Sequence, residues 1–423
     1  MKRILAVVLC LIMVFSLGIS AFADEPVQLR FMMWGGYPNG ADFQSILLEA
    51  APELEGKVEV ETDIEGAGGV EMLSKLRLEI AAGNCPDIVQ LNASMVPEFA
   101  AEGLLADLSE IFEAHKDNIM EGAWNVSLYD GKNVGIPFQL NSRIWMYRKD
   151  LFDAAGIDAN AIKTTEDFIE AGKKLHEMFP DTYITNLGTA AQGYNLGLIF
   201  SGNGASFTDD DGNYIVNTNE GVRAAFEAYG KIVEAGVVNR INEWTPDWEQ
   251  GFNNGTIASC LTGSWMTHFL NNYIDDSHQG KWAIAQFPAL GGAETGSEDG
   301  GAVYVVMNDS KNKEAAIEVI EKLMLSESGQ MVMFRQLNDI PWFKSLADNE
   351  ELNAPDIYWG DYMPEMLKSV EKISVFDFSP AYSAEIAIVL EYFDKYTNGE
   401  LTLDEALDGA QNDLESQIGN PYM

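Results

Sequence analysis

VEMLSKLRLEIAAGNCPDIVQLN, residues 70–92, is the stretch whose reading decides the fold. Val70, Leu73, Leu76 and Ile80 recur at helical spacing, which predicts a helix stopped by Gly83. Pro86 prevents its continuation, and Ile88-Val89-Gln90-Leu91 then reads as a short, β-prone run. Helix, tight turn and strand make one αβ unit of a parallel sheet. Ligands of such sheets sit outside the carboxyl ends of the strands, so Asn92 and Ser94 fall at a candidate site.

The same alternation extends to both sides. Val27 to Trp34 is strand-like and ends in Gly35-Gly36, a helix is expected near Phe43–Ala50, and a strand over Lys57–Ile64. Pro97 to Leu108 reads as an amphipathic helix. Further on, helices are expected at Thr165–Phe179 and Asn219–Glu234, with a buried strand at Ile257–Leu261. Strands alternating with helices argue for an α/β protein. Asp209-Asp210-Asp211-Gly212-Asn213 looks superficially like a calcium loop. Placing Gly212 sixth puts Phe207 first and no Glu twelfth, so it reads as a turn.

Lys2 and Arg3, the apolar run Ile4 to Ile19 and Ala21-Phe22-Ala23 spell a secretory signal peptide, residues 1–23. The expected location is therefore extracytoplasmic, periplasmic or extracellular. About 400 residues remain, too many for one core by the usual domain size, so two domains are expected. Cys85 and Cys260 are expected as small apolar residues rather than a bridge. With 66 acidic against 26 basic residues and a net charge of -40, nucleic acid is excluded as a partner. The acidic residues are dispersed, and a neutral ligand suits this field best.

Several motifs in order carry a resemblance. Besides Ile80–Asn92 they are NVGIPF (133–138), YRKDLFDAAGI (147–157), TTEDF (164–168), FNNGTIASCLTGSW (252–265), WAIAQFPALGG (282–292) and GGAVYVVMNDSKNKEAAIEVIEKLM (300–324). Together they resemble the family-1 extracellular solute-binding proteins, the maltose-binding-protein-like receptors of ABC sugar importers. Arg148, Glu166, Ile257 and Ser259 depart from the family spelling. The resemblance implies a two-lobed periplasmic-binding-protein-like α/β fold, each lobe a mostly parallel sheet flanked by helices, with the ligand cleft between. It would place 24–138 and 289–336 in the N-terminal lobe, and 139–288 and 337–423 in the C-terminal lobe.

A neutral sugar has apolar C–H faces that pack on aromatic rings and hydroxyls that need directed partners. Trp34 and Tyr37 follow the first strand, with rim packing as the plainer reading of Trp34. Gln139 and Asn141 fall at the lobe crossing, where each serves the ligand or the hinge. Trp244 and Trp248 flank Pro246, which argues against one helix carrying both. Trp265 matches the tryptophan that stacks on sugar in the family's maltose binder, and Tyr382 resembles a second stacking position. Asp299, before Gly300-Gly301, and Asn92 complete the candidates, with Tyr194 and Asn195 weaker.

Enzymatic signatures are not evident. The four histidines have no metal-ligand spacing, Gly263-Ser264-Trp265 is no nucleophile elbow, and no nucleotide fingerprint occurs. No metal or cofactor is implied. The expectation is a non-catalytic receptor for a neutral mono- or oligosaccharide, closing by hinge motion and delivering to a membrane-embedded ABC permease. The chain is expected to be a monomer. The alternatives are a receptor for another small solute such as a polyamine, or a secreted glycoside hydrolase.

Overall fold

The computed structural model describes residues 25–35, 42–66, 70–189, 192–200, 202–293, 297–371 and 373–423. The signal-peptide segment and Tyr37 lie outside them. Among the described residues no helix is long and apolar enough to cross a membrane.

Strands β1 (Val27–Met33), β2 (Val58–Ile64) and β3 (Ile88–Asn92) open the chain. The helix expected between β2 and β3 spans Val70–Ala81. Gly83 sits at φ 69 behind it, the left-handed stop that glycine makes cheap. A hairpin, β4 (Leu128–Tyr129) and β5 (Lys132–Asn133), precedes β6 (Ile136–Gln139). The chain then crosses to a second group of strands, β7 (Arg143–Arg148), β8 (Thr185–Asn186), β9 (Val238–Asn239), β10 (Ser259–Gly263) and β11 (Trp282–Gln286). It returns with β12 (Ala302–Val306).

The first sheet has the order β2-β1-β3-β12-β6. β1 is parallel to β2 and β3, and only β12 runs against its neighbours. In the second sheet β7 runs against both β10 and β11. The parallel pair β8 and β9 lies beyond β10, joined by the parallel bridge Tyr183–Ile257 and a bond from Thr185 Oγ1 to Ser259 O. Each lobe thus keeps one strand direction except for the strand laid down just after a crossing.

β7 shows how the sheet divides the interior. Ile144 and Met146 join the core that surrounds the first sheet and continues to Trp248 and Trp282. Trp145 and Tyr147, on the other face by the period of two, join a second core with Phe168, Phe226 and Phe393. Leu290 and Ala293 also belong to that second core.

Two elements differ from expectation. The helix expected over Pro97–Leu108 runs only Val96–Ala101. Gly103 at φ 70 ends it, and Ala106 N then donates to Val306 O, drawing the chain along β12. The strand expected at Ile257–Leu261 lies at Ser259–Gly263, because Ile257 N caps back to Gly251 O instead. The 209–213 turn closes on itself: Asp209 Oδ1 accepts from Asp211 N and Asn213 N, an Asx turn. Cys85 and Cys260 are both free and half-buried.

Candidate functional site

β10 ends at Gly263, and the turn through Ser264 and Trp265 leads into the helix Met266–Tyr273. Trp265 therefore stands at the carboxyl end of a strand, where the topology opens a crevice. Its indole Nε1 donates to Asp299 O at 3.2 Å, on the segment that recrosses to β12. Glycine is required on both sides of this contact. A Cβ on Gly263 would lie 2.4 Å from that Nε1 and 2.5 Å from Asp299 O. Gly300 has φ +68, and a Cβ there would lie 3.2 Å from the same nitrogen.

The second aromatic element is the start of the helix Pro246–Asn254. Thr245 caps it, its Oγ1 accepting from Trp248 N at 3.4 Å, and Pro246 occupies the first turn where no N–H is needed. Trp248 is carried inward on the helix, whereas Trp244 precedes the cap in the left-handed region at φ 62. That conformation, uncommon for a bulky residue, lays Trp244 against Trp265, with ring centroids 6.0 Å apart and planes 17° from parallel. Trp248 lies 5.3 Å from Trp244 at 46°.

These three indoles line one cavity of about 290 Å³, together with Asn186, Asn195, Glu243 and the inner edge of β10. Glu243 is held firmly. Its Oε1 accepts from Asn186 Nδ2 at 2.9 Å and from Gly188 N at 2.8 Å. Its Oε2 is buried and has no hydrogen-bond partner among the described residues. The cavity thus offers stacking surfaces with one oriented carboxylate and two carboxamides, the groups a polyhydroxylated ring needs. Cys260 also lines it, and burial raises its thiol well above the usual range, so it is an inert wall.

Beneath Trp265 the crossing segments bond to one another. Asp299 N donates to Asn141 O at 3.1 Å, Ser264 Oγ to Asn141 Oδ1 at 3.0 Å, and Arg143 N to Ser297 O at 2.9 Å. Arg143 is fully buried, its guanidinium 4.7 Å from the Phe287 ring centroid. Burial lowers its pKa to about 10, outweighing the attraction of Asp299 and Glu298. Burial likewise raises the Glu298 carboxyl to about 8, with the Asp299 charge adding to it.

Among the residues singled out in the sequence, Trp244, Trp248, Trp265 and Asn195 share the cavity. Asn141 and Asp299 lie under it, in the crossing. Trp34 packs against the first core, and Asn92 ends β3 opposite Ala302, both away from the cavity lining. The backbone of Gln139 pairs with Ala302. Tyr382 packs edge-on to Phe378 at 4.6 Å in the second core, away from the cavity. Glu243 and Asn186 were not singled out. Glu243 adjoins Trp244, but among 66 acidic residues nothing local marks it.

A two-lobed α/β chain with an aromatic cavity beside its lobe crossing defines a solute-binding protein. The family model described as "Bacterial extracellular solute-binding protein" matches residues 49–358, and the chain belongs to that family. It is 27% identical over 369 residues to an arabinooligosaccharide-binding protein of Halalkalibacterium halodurans, covering 82% of this chain and 80% of that one. A lactose-binding protein of Rhizobium radiobacter is 26% identical, over 66% of this chain and 67% of its own. The fold is similar to that of the galacto-N-biose/lacto-N-biose I-binding protein from Bifidobacterium longum, solved with lacto-N-biose. The TM-score is 0.78 at 20% identity, covering 94% of this chain and 98% of that chain.

Proposed function

We propose that this chain is the extracytoplasmic receptor of an ABC importer, binding a neutral mono- or oligosaccharide without transforming it. The observation that carries this reading is the single cavity in which Trp244, Trp248 and Trp265 meet Glu243, Asn186 and Asn195. Indole faces take the apolar faces of a sugar ring, and the fixed carboxylate and carboxamides take its hydroxyls. Membership of the solute-binding family and the printed sugar ligands of the relatives support it.

In this reading the first lobe, built on β1, β2, β3, β6 and β12, closes over the second, bringing Trp34 and Asn92 toward the ligand. Closure is driven only by contacts that are better in the closed state. Asn141 and Asp299 serve the hinge, and Tyr382 serves packing. The signal peptide delivers a monomer outside the cytoplasm, and the closed form engages the permease. A hydrolase needs a pair of carboxyl groups flanking the bond to be cleaved, and Glu243 is the one carboxylate among the described lining residues.

A cationic ligand is the second reading, because a carboxylate among three indoles also suits an ammonium group. Calorimetric titration of the refolded, ligand-stripped mature protein with sugars and with polyamines separates the two. Heat with sugars alone supports the sugar receptor; heat with amines alone overturns it, and product formation from any glycan overturns the non-catalytic role.

A further inference from the structure

Three chain segments run side by side at the lobe crossing, and Glu298 lies in the middle one. Ser142 bridges to it antiparallel, and Arg143 N donates to Ser297 O at 2.9 Å. On the other side Glu298 N donates to Ser374 O at 2.9 Å, beside a parallel Ser297–Ser374 bridge. The Ser374 segment also passes between the cores, with Ile373 in the first and Phe376 in the second. Glu298 Oε1 accepts from Gly301 N at 2.5 Å, which ties the carboxyl to the start of β12. The next residue, Asp299, holds the indole of Trp265 through its carbonyl oxygen.

Charge does not balance here unless a proton is present. Glu298, Asp299 and Arg143 are all buried, two carboxyls with one guanidinium as their charged neighbour. A surplus charge in such a place is costly, and one proton on a carboxyl removes it. Burial, helped by the Asp299 charge, raises the Glu298 carboxyl to about 8, so Glu298 is the group that keeps the proton. Tyr382 faces it from the helix Tyr382–Thr397, and burial raises that phenol far above the same range. Glu385, one turn further along, accepts from Tyr214 Oη at 3.0 Å.

We propose that Glu298 is a proton-operated positioning residue for the cavity. Protonated, it lets the three segments pack and keeps the Asp299 carbonyl under Trp265. Deprotonated, it adds a negative charge beside Asp299 that only water relieves, and the crossing loosens where it carries Trp265. A ligand on Trp265 and a proton on Glu298 both favour the packed crossing, so each strengthens the other reciprocally. The effect on ligand rests on the carbohydrate reading above, whereas the effect on Trp265 does not. The sign follows from the raised carboxyl: the hold on Trp265 is complete well below pH 8 and is lost as pH rises through it.

The test needs no ligand at first. The mature protein is labelled with ¹⁵N-tryptophan, and the indole N–H signal of Trp265 is assigned by its absence in Trp265→Phe. In the wild type that signal is expected to shift with a midpoint near pH 8. His268, on the helix after Trp265, is held below its ordinary 6.5 by burial and stays out of this window. Glu298→Gln should abolish the step. Asp299→Asn, which keeps the backbone carbonyl, should move the midpoint to lower pH, because a like charge is gone. No step in the wild type, the same step in Glu298→Gln, or an unmoved midpoint in Asp299→Asn would overturn the proposal. For any sugar that binds, wild-type affinity should fall at least threefold from pH 7 to pH 9, with a ceiling of about tenfold per pH unit above the midpoint. Glu298→Gln should hold its affinity over the same range, and an equal loss in both proteins would overturn the link to binding. Absence of binding by every sugar would overturn the receptor reading, while the indole titration would still decide the role of Glu298. Circular dichroism establishes that each variant is folded.

Discussion

The indole N–H of Trp265 donates to the carbonyl oxygen of Asp299 at 3.2 Å. Trp265 sits at the end of a second-lobe strand, and Asp299 on the segment that leads back to the first lobe. A ligand stacked on that ring therefore touches a group bonded directly to the crossing. Under the proposed function, binding and lobe movement share this contact, which would give hinge closure a physical route to the ligand.

Gly263 keeps the contact possible. Its substitution by Ala sets a Cβ 2.5 Å from the Asp299 carbonyl, a backbone atom that does not yield cheaply. The expected cost is about 1–3 kcal/mol, as for overpacking elsewhere. Melting temperature and sugar affinity should both fall. Wild-type values for both would mean that the Trp265–Asp299 contact is not coupled to either.

Glu298 gives the fold a defined pH response. Its carboxyl titrates near 8, above the ordinary 4.5, because it is buried. The folded state then holds more protons than the unfolded state between those values, so its contribution is complete below about pH 4.5 and is lost as pH rises toward 8. His268 and His278 are shifted downward and act with the opposite sign, on the acid side of 6.5. Glu298→Gln isolates the carboxyl, retaining an oxygen for the bond from Gly301 N. The variant should melt with less loss between pH 5 and 8 than the wild type. Identical slopes would exclude Glu298 as the source.

Arg143 balances the same crossing from inside. It is fully buried, with Asp299 and Glu298 as its charged neighbours and Phe287 under its guanidinium. Arg143→Ala strips a buried charge and its stacking at once, with an expected loss of about 3–5 kcal/mol. Chemical denaturation measures it, and a loss below 1 kcal/mol would show that the crossing does not depend on this cation.

Glu243 distinguishes the two ligand classes. A neutral sugar donates hydroxyls to it, so Glu243→Gln should weaken binding by about 1–2 kcal/mol. The wild-type dissociation constant should be insensitive to salt, because no net charge is transferred. A steep weakening with salt would favour an ammonium ligand and count against the sugar.

The helix-turn-strand at 70–92 was legible because three independent signals agreed: helical spacing, a left-handed glycine and a β-prone run. The length of the helix after β3 was not, since Gly103 competes there with a continuing apolar pattern. Trp244 and Trp248 could be separated at Pro246 from the sequence, because proline starts helices and does not sit inside them. Glu243 and Asn186 could not be found that way. They meet only because β8 pairs with β9 and the 241–243 segment that follows β9 folds back over Asn186, a pairing between residues 57 apart. Pairwise proximity of that kind leaves no local pattern. Asn92 and Trp34 show the converse, residues at correctly read strand ends that lie outside the cavity lining.

The most direct measurement is calorimetric titration of the mature, ligand-stripped protein and its Trp265→Ala variant with polyamines and with sets of sugars, each set a monosaccharide and its oligosaccharides. Burying one face of an indole is worth about 2 kcal/mol, or roughly thirtyfold in affinity. The account predicts saturable binding of one set by the wild type, a loss of that order in the variant, and no hydrolysis product. Undiminished binding by a folded Trp265→Ala variant, or heat from polyamines and from no sugar, would contradict it.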